Sequence, residues 1–359
     1  MGNTSNPSRA DQALAGLKDF QRRTVNYVFD RFYGSGGTSR FLVADEVGLG
    51  KTLVARGIIA KTIEHLQAQV PDKRIDVLYV CSNAAIASQN INRLKVSGAG
   101  DFAIATRLTY LPRQVHSLRS NPVNFLSLTP GTAFEHARSR GGHAEERAII
   151  YRMLHGMHWA QGKRRKRLRH GLLNMLQATT RRRDSWRSRC RNIGSDDIDR
   201  DLAVSFRRAV AADGTLYERL KECCEVFHRY RPTDRISRSE NDVRLEVIGQ
   251  LRRTLAEVCL TALEPDLVIL DEFQRFKQLL DGEDDAALLA RALFDHPEVR
   301  VLLLSATPYK MFTLDAEMSD EDHYPDFVRT LKFLYNDDET LARAQGLIEA
   351  RRKTMQEPT

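Results

Sequence analysis

The sequence predicts an α/β fold in which a doubly wound parallel sheet carries a large, mainly helical, basic insertion. Three observations predict it. Short continuous apolar runs alternate with segments of helical spacing, as buried parallel strands and their crossover helices do. A glycine-rich turn stands between the first such run and the helix that follows it. The positive charge is concentrated in one central stretch that is poor in Gly and Pro.

Taken in order, Leu17 to Tyr33 has the spacing of an amphipathic helix, and Phe41 to Ala44 (FLVA) reads as the first strand. Lys51 to Gln67 is helical in spacing, Ile75 to Cys81 is a β-branched strand, and a helix is expected near Ala84 to Leu94. Shorter apolar runs follow at Phe102 to Ala105 and Val123 to Leu128. From Arg138 to Leu260 there are 28 Lys/Arg against 16 Asp/Glu, a net +12; the whole chain is at +8, so the remainder is at −4. Within that stretch Ile149, Met153, Met157 and Ala160, then Leu168, Leu172 and Leu176, recur at three- and four-residue steps, which is a helical period. Looser segments are expected around Asn192 to Asp201 and Arg231 to Asn241. Beyond it come Leu267 to Leu270 (LVIL), a helix near Ala286 to Phe294, Val301 to Leu304 (VLLL) and a helix around Phe327 to Leu334. The expected division is a flexible N-terminus over 1–16, a sheet domain over 17–135 and 262–312, the insertion over 136–261, and a C-terminal extension over 313–359.

With 42% hydrophobic and 28% charged residues, the composition excludes collagen-like and wholly disordered classes. No apolar run reaches the roughly 18 to 20 residues that span a bilayer, so no membrane partner is expected. The first residues lack the apolar core of a signal peptide. None of the five cysteines stands in a CxxC pair, so neither zinc nor a disulfide framework is indicated. A reducing cytoplasm fits, at the nucleoid in a bacterium. The basic run Lys163, Arg164, Arg165, Lys166 and Arg167 reads as a phosphate-contacting surface or as solvated helix faces. A face that docks an acidic partner protein is a further reading.

Chemistry concentrates at two places. After FLVA comes Asp45, Glu46, Val47, Gly48, Leu49, Gly50, Lys51 and Thr52 (DEVGLGKT), then a helix. Gly48 and Gly50 let successive N–H groups converge on one anion, and the helix N-terminus adds its partial positive charge. Lys51 supplies a point charge for the β- and γ-phosphates, and the Thr52 hydroxyl can ligate Mg²⁺. The strict phosphate-loop pattern has Gly where this chain has Asp45. Further on, LVILDEFQ places Asp271 and Glu272 at the end of a buried strand. Adjacent carboxylates there point in different directions; Asp271 is expected to hold Mg²⁺, partly through water, and Glu272 to activate the attacking water.

Together these segments resemble the superfamily 2 DEAD/DEAH-type helicases and translocases, specifically their first, RecA-like P-loop NTPase lobe. DEVGLGKT is similar to motif I of the Swi/Snf-like group, in which Asp replaces the first Gly. DEFQ resembles motif II, with Gln274 where a DEAH protein has His. LLLSATP resembles motif III, which implies that Ser305, Ala306 and Thr307 couple the nucleotide site to nucleic acid. LKDFQRRTVNYVF is similar to the segment that opens the lobe, and its Gln21 matches the glutamine that reads adenine. Tyr79 to Leu94 is similar to motif Ia and Ser127 to Thr132 to motif Ib. Those matches imply that Ser82, Asn83, Thr129, Pro130, Gly131 and Thr132 grip one strand's backbone.

The resemblance covers about 17–132 and 264–310. It implies an ATP hydrolase with ATP and Mg²⁺ as ligands, nucleic acid as partner (DNA favoured over RNA), and an arginine finger on a second RecA-like lobe in cis or trans. Only 51 of the 359 residues follow Pro308, too few for that lobe. The isolated chain is therefore expected to hydrolyse ATP weakly, or to act as a non-hydrolysing nucleic-acid-binding switch that needs a separate second lobe.

Overall fold

A strand whose every residue is apolar or neutralised can be buried on both faces, and Ile75–Cys81 is buried at all seven positions. A computed structural model describes residues 7–45, 48–82, 84–96, 102–103, 107–114, 121–129, 141–157, 162–178, 180, 182–230, 236–273, 285–305, 324–335, 337 and 339–347. In chain order the elements are α1 (Arg9–Ala15), α2 (Asp19–Tyr33), β1 (Arg40–Ala44), α3 (Lys51–Gln69), β2 (Ile75–Cys81), α4 (Ala84–Leu94) and β3 (Phe102–Ala103). A 3₁₀ turn (Leu108–Arg113) and β4 (Val123–Leu128) follow. Then come α5 (Ala144–Leu154), α6 (Gly162–Gln177), α7 (Arg183–Asn192), α8 (Arg200–Ala212), α9 (Gly214–Phe227) and α10 (Arg238–Ala262). The last elements are β5 (Pro265–Asp271), α11 (Asp285–Phe294), β6 (Arg300–Ser305) and α12 (Tyr324–Tyr335). The chain is thus α/β, with parallel strand pairs and a mostly helical remainder. Among the described residues no helix is long and apolar enough to cross a membrane.

The molecule forms two compact units, one of residues 1–99 with 265–359 and one of residues 100–264. β3 and β4, which the sequence groups with the sheet domain, cluster with the helical segment. The 3₁₀ turn between them explains this, because it packs on α10 and its Pro112 carbonyl accepts from the Asp199 N–H at 2.8 Å.

In the first unit the strands lie parallel in the order β1–β6–β5–β2. β5 and β6 are buried almost throughout, which is why LVIL and VLLL carry no polar alternation. The buried carboxylates at the N-terminal ends of β2 and β5 are satisfied. Asp76 pairs with Arg74 at 2.7 Å, Asp266 with Lys73 at 2.7 Å, and Asp266 also accepts from the Asp76 N–H.

One expectation is corrected here. The N-terminal segment is not flexible over Arg9–Ala15, which forms α1. Ser8 and Asp11 close a capping box, Ala10 and Ala13 are buried, and Glu64 of α3 accepts from the Ala10 N–H at 2.9 Å. In the C-terminal extension the helix expected around Phe327 to Leu334 is present as α12, and it packs on β1. The Arg40 guanidinium donates to the Phe333 carbonyl, lies 4.3 Å from that ring's centre, and pairs with Asp295.

The second unit is built on α5 to α10, as the helical spacing implies. Its centre is charged as well as apolar. Glu146 on α5 is fully buried and accepts from the Thr109 hydroxyl at 2.7 Å and the His143 N–H at 2.7 Å, with the Arg252 guanidinium at 3.3 Å. The neighbouring Arg147 spends its donors on the carbonyls of Gly141, Gly142 and Leu176 and on the Thr180 hydroxyl, stitching α5 to the end of α6. α6 and α9 meet closely at Gly171, where an added Cβ would lie 1.9 Å from the Cys224 carbonyl oxygen. Gly171→Ala is therefore expected to destabilise this unit by about 1–3 kcal/mol despite alanine's better helix propensity. Thermal unfolding checks it, and a stabilised variant would refute the close approach.

Candidate functional site

β1 ends at Ala44 and the chain turns through Gly48 and Gly50, whose φ values of 89° and 81° lie in the left-handed region. A side chain there would be strained, and at Gly50 it would also meet the Gln21 amide nitrogen at 2.5 Å. α3 then starts at Lys51 with no side-chain cap. There the Leu53 and Val54 N–H groups both donate to the Gly50 carbonyl, at 2.8 and 3.1 Å, and a helix start without a side-chain cap can offer N–H groups to an anion. The Lys51 ammonium donates to the Asp45 carbonyl at 2.8 Å, so its charge folds back over the loop. Gln21 is buried, accepts from the Lys18 N–H at 3.0 Å and donates to the Leu49 carbonyl at 2.8 Å. It braces the loop with one donor and one acceptor.

The strand register brings the other motifs to the same edge. Ala44 pairs with Ser305, Leu304 with Asp271, and Asp271 with Cys81. The Asp45 N–H donates to the Ser305 carbonyl at 3.3 Å, joining the first motif to the third. One strand, β6, separates the glycine loop from the acidic pair. That is two inter-strand spacings, roughly 9.6 Å.

Asp271 is held tightly. The Tyr79 hydroxyl of β2 and the Asn90 amide of α4 both donate to its Oδ2, the latter at 3.2 Å, and Asn90 also donates to the Tyr79 oxygen at 2.9 Å. Burial pushes the Asp271 carboxyl above its ordinary range; the Tyr79 hydroxyl opposes this and the charge of Glu272 adds to it. Burial, and then the Asp271 charge, keep the Tyr79 hydroxyl protonated and so a donor. Glu272 has φ 51°, a left-handed conformation unusual for a residue with a side chain, and Phe273 behind it is fully buried. Ser82, one residue past β2, has a buried hydroxyl with no hydrogen-bond partner among the described residues.

The structure thus gathers Gln21, Asp45, Gly48, Leu49, Gly50, Lys51, Thr52, Ser82, Asp271, Glu272 and Ser305 in one unit, most of them along the C-terminal edge of its strands. Glu46, Val47, Asn83, Pro130, Gly131, Thr132, Gln274, Ala306 and Thr307 lie outside the described residues. Thr129 follows β4 in the other unit and is half-buried. Tyr79 and Asn90 were not singled out from sequence. The only signal was an aromatic residue in a fully buried strand.

On α6, Lys163, Arg164, Lys166 and Arg167 are exposed, while Leu168, Leu172, Met175 and Leu176 are buried. Arg165 differs from its neighbours, being half-buried with an Nε that finds no partner among the described residues. Arg164 is partly engaged by Glu225 at 3.3 Å. Among the described residues no group of three or more His, Cys, Asp or Glu side chains is placed to hold a metal. The phosphate-linked Mg²⁺ expected here needs no such cluster, because one carboxylate, one hydroxyl, water and the phosphates supply its oxygens. No protein-family model, curated protein or solved structure matches the chain.

Proposed function

We propose that this chain is the RecA-like, ATP-binding lobe of a nucleic-acid-dependent ATPase of the helicase or translocase class, acting on DNA in preference to RNA. The observation that carries the reading is the shared edge: a helix start without a side-chain cap behind two left-handed glycines, with a carboxylate pair at the end of a buried strand, one strand intervening. A plain turn needs neither the glycines in that conformation nor the acids beside it.

In this reading the backbone N–H groups of the glycine loop bind the phosphates and the Lys51 ammonium leaves the Asp45 carbonyl for them. Thr52 and Asp271 would hold Mg²⁺, which would supply positive charge against the charge developing on the phosphate. Glu272 orients water and takes its proton. Gln21 keeps the loop in place and offers its remaining donor and acceptor to adenine. Ser305, bonded through its carbonyl to Asp45, ties the first motif to the third. The resemblance puts the arginine finger on a second lobe, so hydrolysis by this lobe alone is expected about 10³- to 10⁵-fold below the assembled machine.

ATP binding by calorimetry, with and without DNA or RNA, tests the reading. Absence of binding at millimolar ATP overturns it, and binding that Lys51→Ala leaves unchanged does so too.

The exposed cations of α6 supply the phosphate-contacting face. Replacing Lys163, Lys166 and Arg167 with Gln is expected to flatten the dependence of log affinity on log salt by roughly 0.7 to 0.9 per lost phosphate contact. An unchanged slope removes α6 from the interface.

A further inference from the structure

We propose that Tyr79 and Asn90 are positioning residues for Asp271, and that Asn90 makes the setting of that carboxylate depend on helix α4. The assignment rests on the ATPase reading, which gives Asp271 its metal. The three side chains come from β2, α4 and β5 and form a closed triangle: tyrosine to aspartate, asparagine to aspartate, asparagine to tyrosine. The stoichiometry closes as well. The two hydrogens of the Asn90 amide serve the two acceptors, and the Tyr79 hydroxyl donates to one partner while accepting from the other.

A carboxylate that needed only to be satisfied at a half-buried strand end could use water. Two fixed donors on one oxygen instead define the plane of the carboxylate, as outer partners of metal-ligating carboxylates do. The donors also differ in what they stand on. Tyr79 is anchored in the fully buried β2. Asn90 stands on α4, which starts just after Ser82 and Asn83, the segment expected to grip the strand backbone. The buried Ser82 hydroxyl without a partner among the described residues lies at that same junction. A phosphate seated there bears on the first turn of α4. Asn90, less than two turns further along, carries the displacement to Asp271.

The test uses the full chain and titrates Mg²⁺ at fixed ATP, following nucleotide binding by calorimetry with and without a DNA duplex. Tyr79→Phe keeps the buried ring, and Asn90→Ala alters a half-exposed helix position; thermal melting checks that both fold. Each is expected to raise the Mg²⁺ half-saturation about 10-fold, with ATP affinity in EDTA unchanged. DNA is expected to shift the half-saturation in the wild type and not in Asn90→Ala. Asn90→Gln, which keeps the amide but moves it one methylene, is expected to behave like Asn90→Ala. Variants with wild-type Mg²⁺ half-saturation overturn the positioning role. A DNA shift that survives in Asn90→Ala, or is missing from the wild type, overturns the link through α4. A wild type that binds no ATP in any arm overturns the ATPase reading itself, a result distinct from the other two.

Discussion

Glu272→Gln is expected to lower nucleic-acid-stimulated ATP hydrolysis about 10²- to 10⁴-fold, the usual contribution of a positioned general base, while ATP still binds. The amide keeps the shape of the carboxylate but loses its charge and its ability to take a proton. Glu272 follows the Asp271 strand end in a left-handed conformation that aims its side chain differently from that of Asp271. Removing its charge is therefore expected to leave Asp271, held by Tyr79 and Asn90, in place. Single-turnover hydrolysis of labelled ATP measures the effect even where the basal rate is low. Lys51→Ala is expected to give the opposite pattern. On the proposed reading it removes an ammonium that would contact the phosphates, so ATP affinity is expected to fall roughly 10- to 100-fold by the worth of a charged hydrogen bond. A Glu272→Gln variant that hydrolyses at the wild-type rate ends the assignment of that residue.

Glu146→Ala is expected to cost about 3–5 kcal/mol of stability in the helical unit, because it leaves the Arg252 guanidinium buried without its counter-charge. Arg252 is 1% exposed, so water cannot take the place of the carboxylate. Burial alone would raise the Glu146 pKa. The Arg252 charge, the His143 N–H, the Thr109 hydroxyl and the Arg107 charge outweigh it, and the pKa is lowered from 4.5. A group held below its unfolded value stabilises the fold above that value and ceases to do so as pH falls through the lowered one. The wild-type unit is thus expected to lose stability as pH drops below about 4.5, and Glu146→Ala to lack that part of the acid dependence. Denaturant unfolding followed from pH 7 to pH 3 checks both points. Equal losses in the two proteins would remove Glu146 as the cause.

The site was legible in the sequence wherever its chemistry is consecutive. Gly48, Gly50, Lys51 and Thr52 stand together in one turn and the helix start behind it, and Asp271 and Glu272 stand together at one strand end. The strands were legible because burial on both faces forbids polar alternation, and α6 because its apolar residues keep a helical step beneath an exposed cationic face. The order of α1 was not legible. A seven-residue helix with a capping box is marginal alone, and it is held by packing and hydrogen bonds to α3. Nor was the work of Gln21, because its carboxamide braces a loop 28 residues away as readily as it could read a base.

The sequence by itself determined the alternation of strands and helices, the glycine turn before α3, the acidic pair and the basic helix, because each depends on neighbours within one element. Only the tertiary structure decided that Tyr79 and Asn90 close on Asp271 across 192 and 181 residues of chain. It alone showed that Glu146 and Arg252, 106 residues apart inside a stretch that reads as solvated and basic, form a buried ion pair. The physical reason is the same in both cases. A hydrogen bond or a Coulomb contact is set by a few ångströms in space, and nothing in the local pattern around either partner records which distant residue will fill that space.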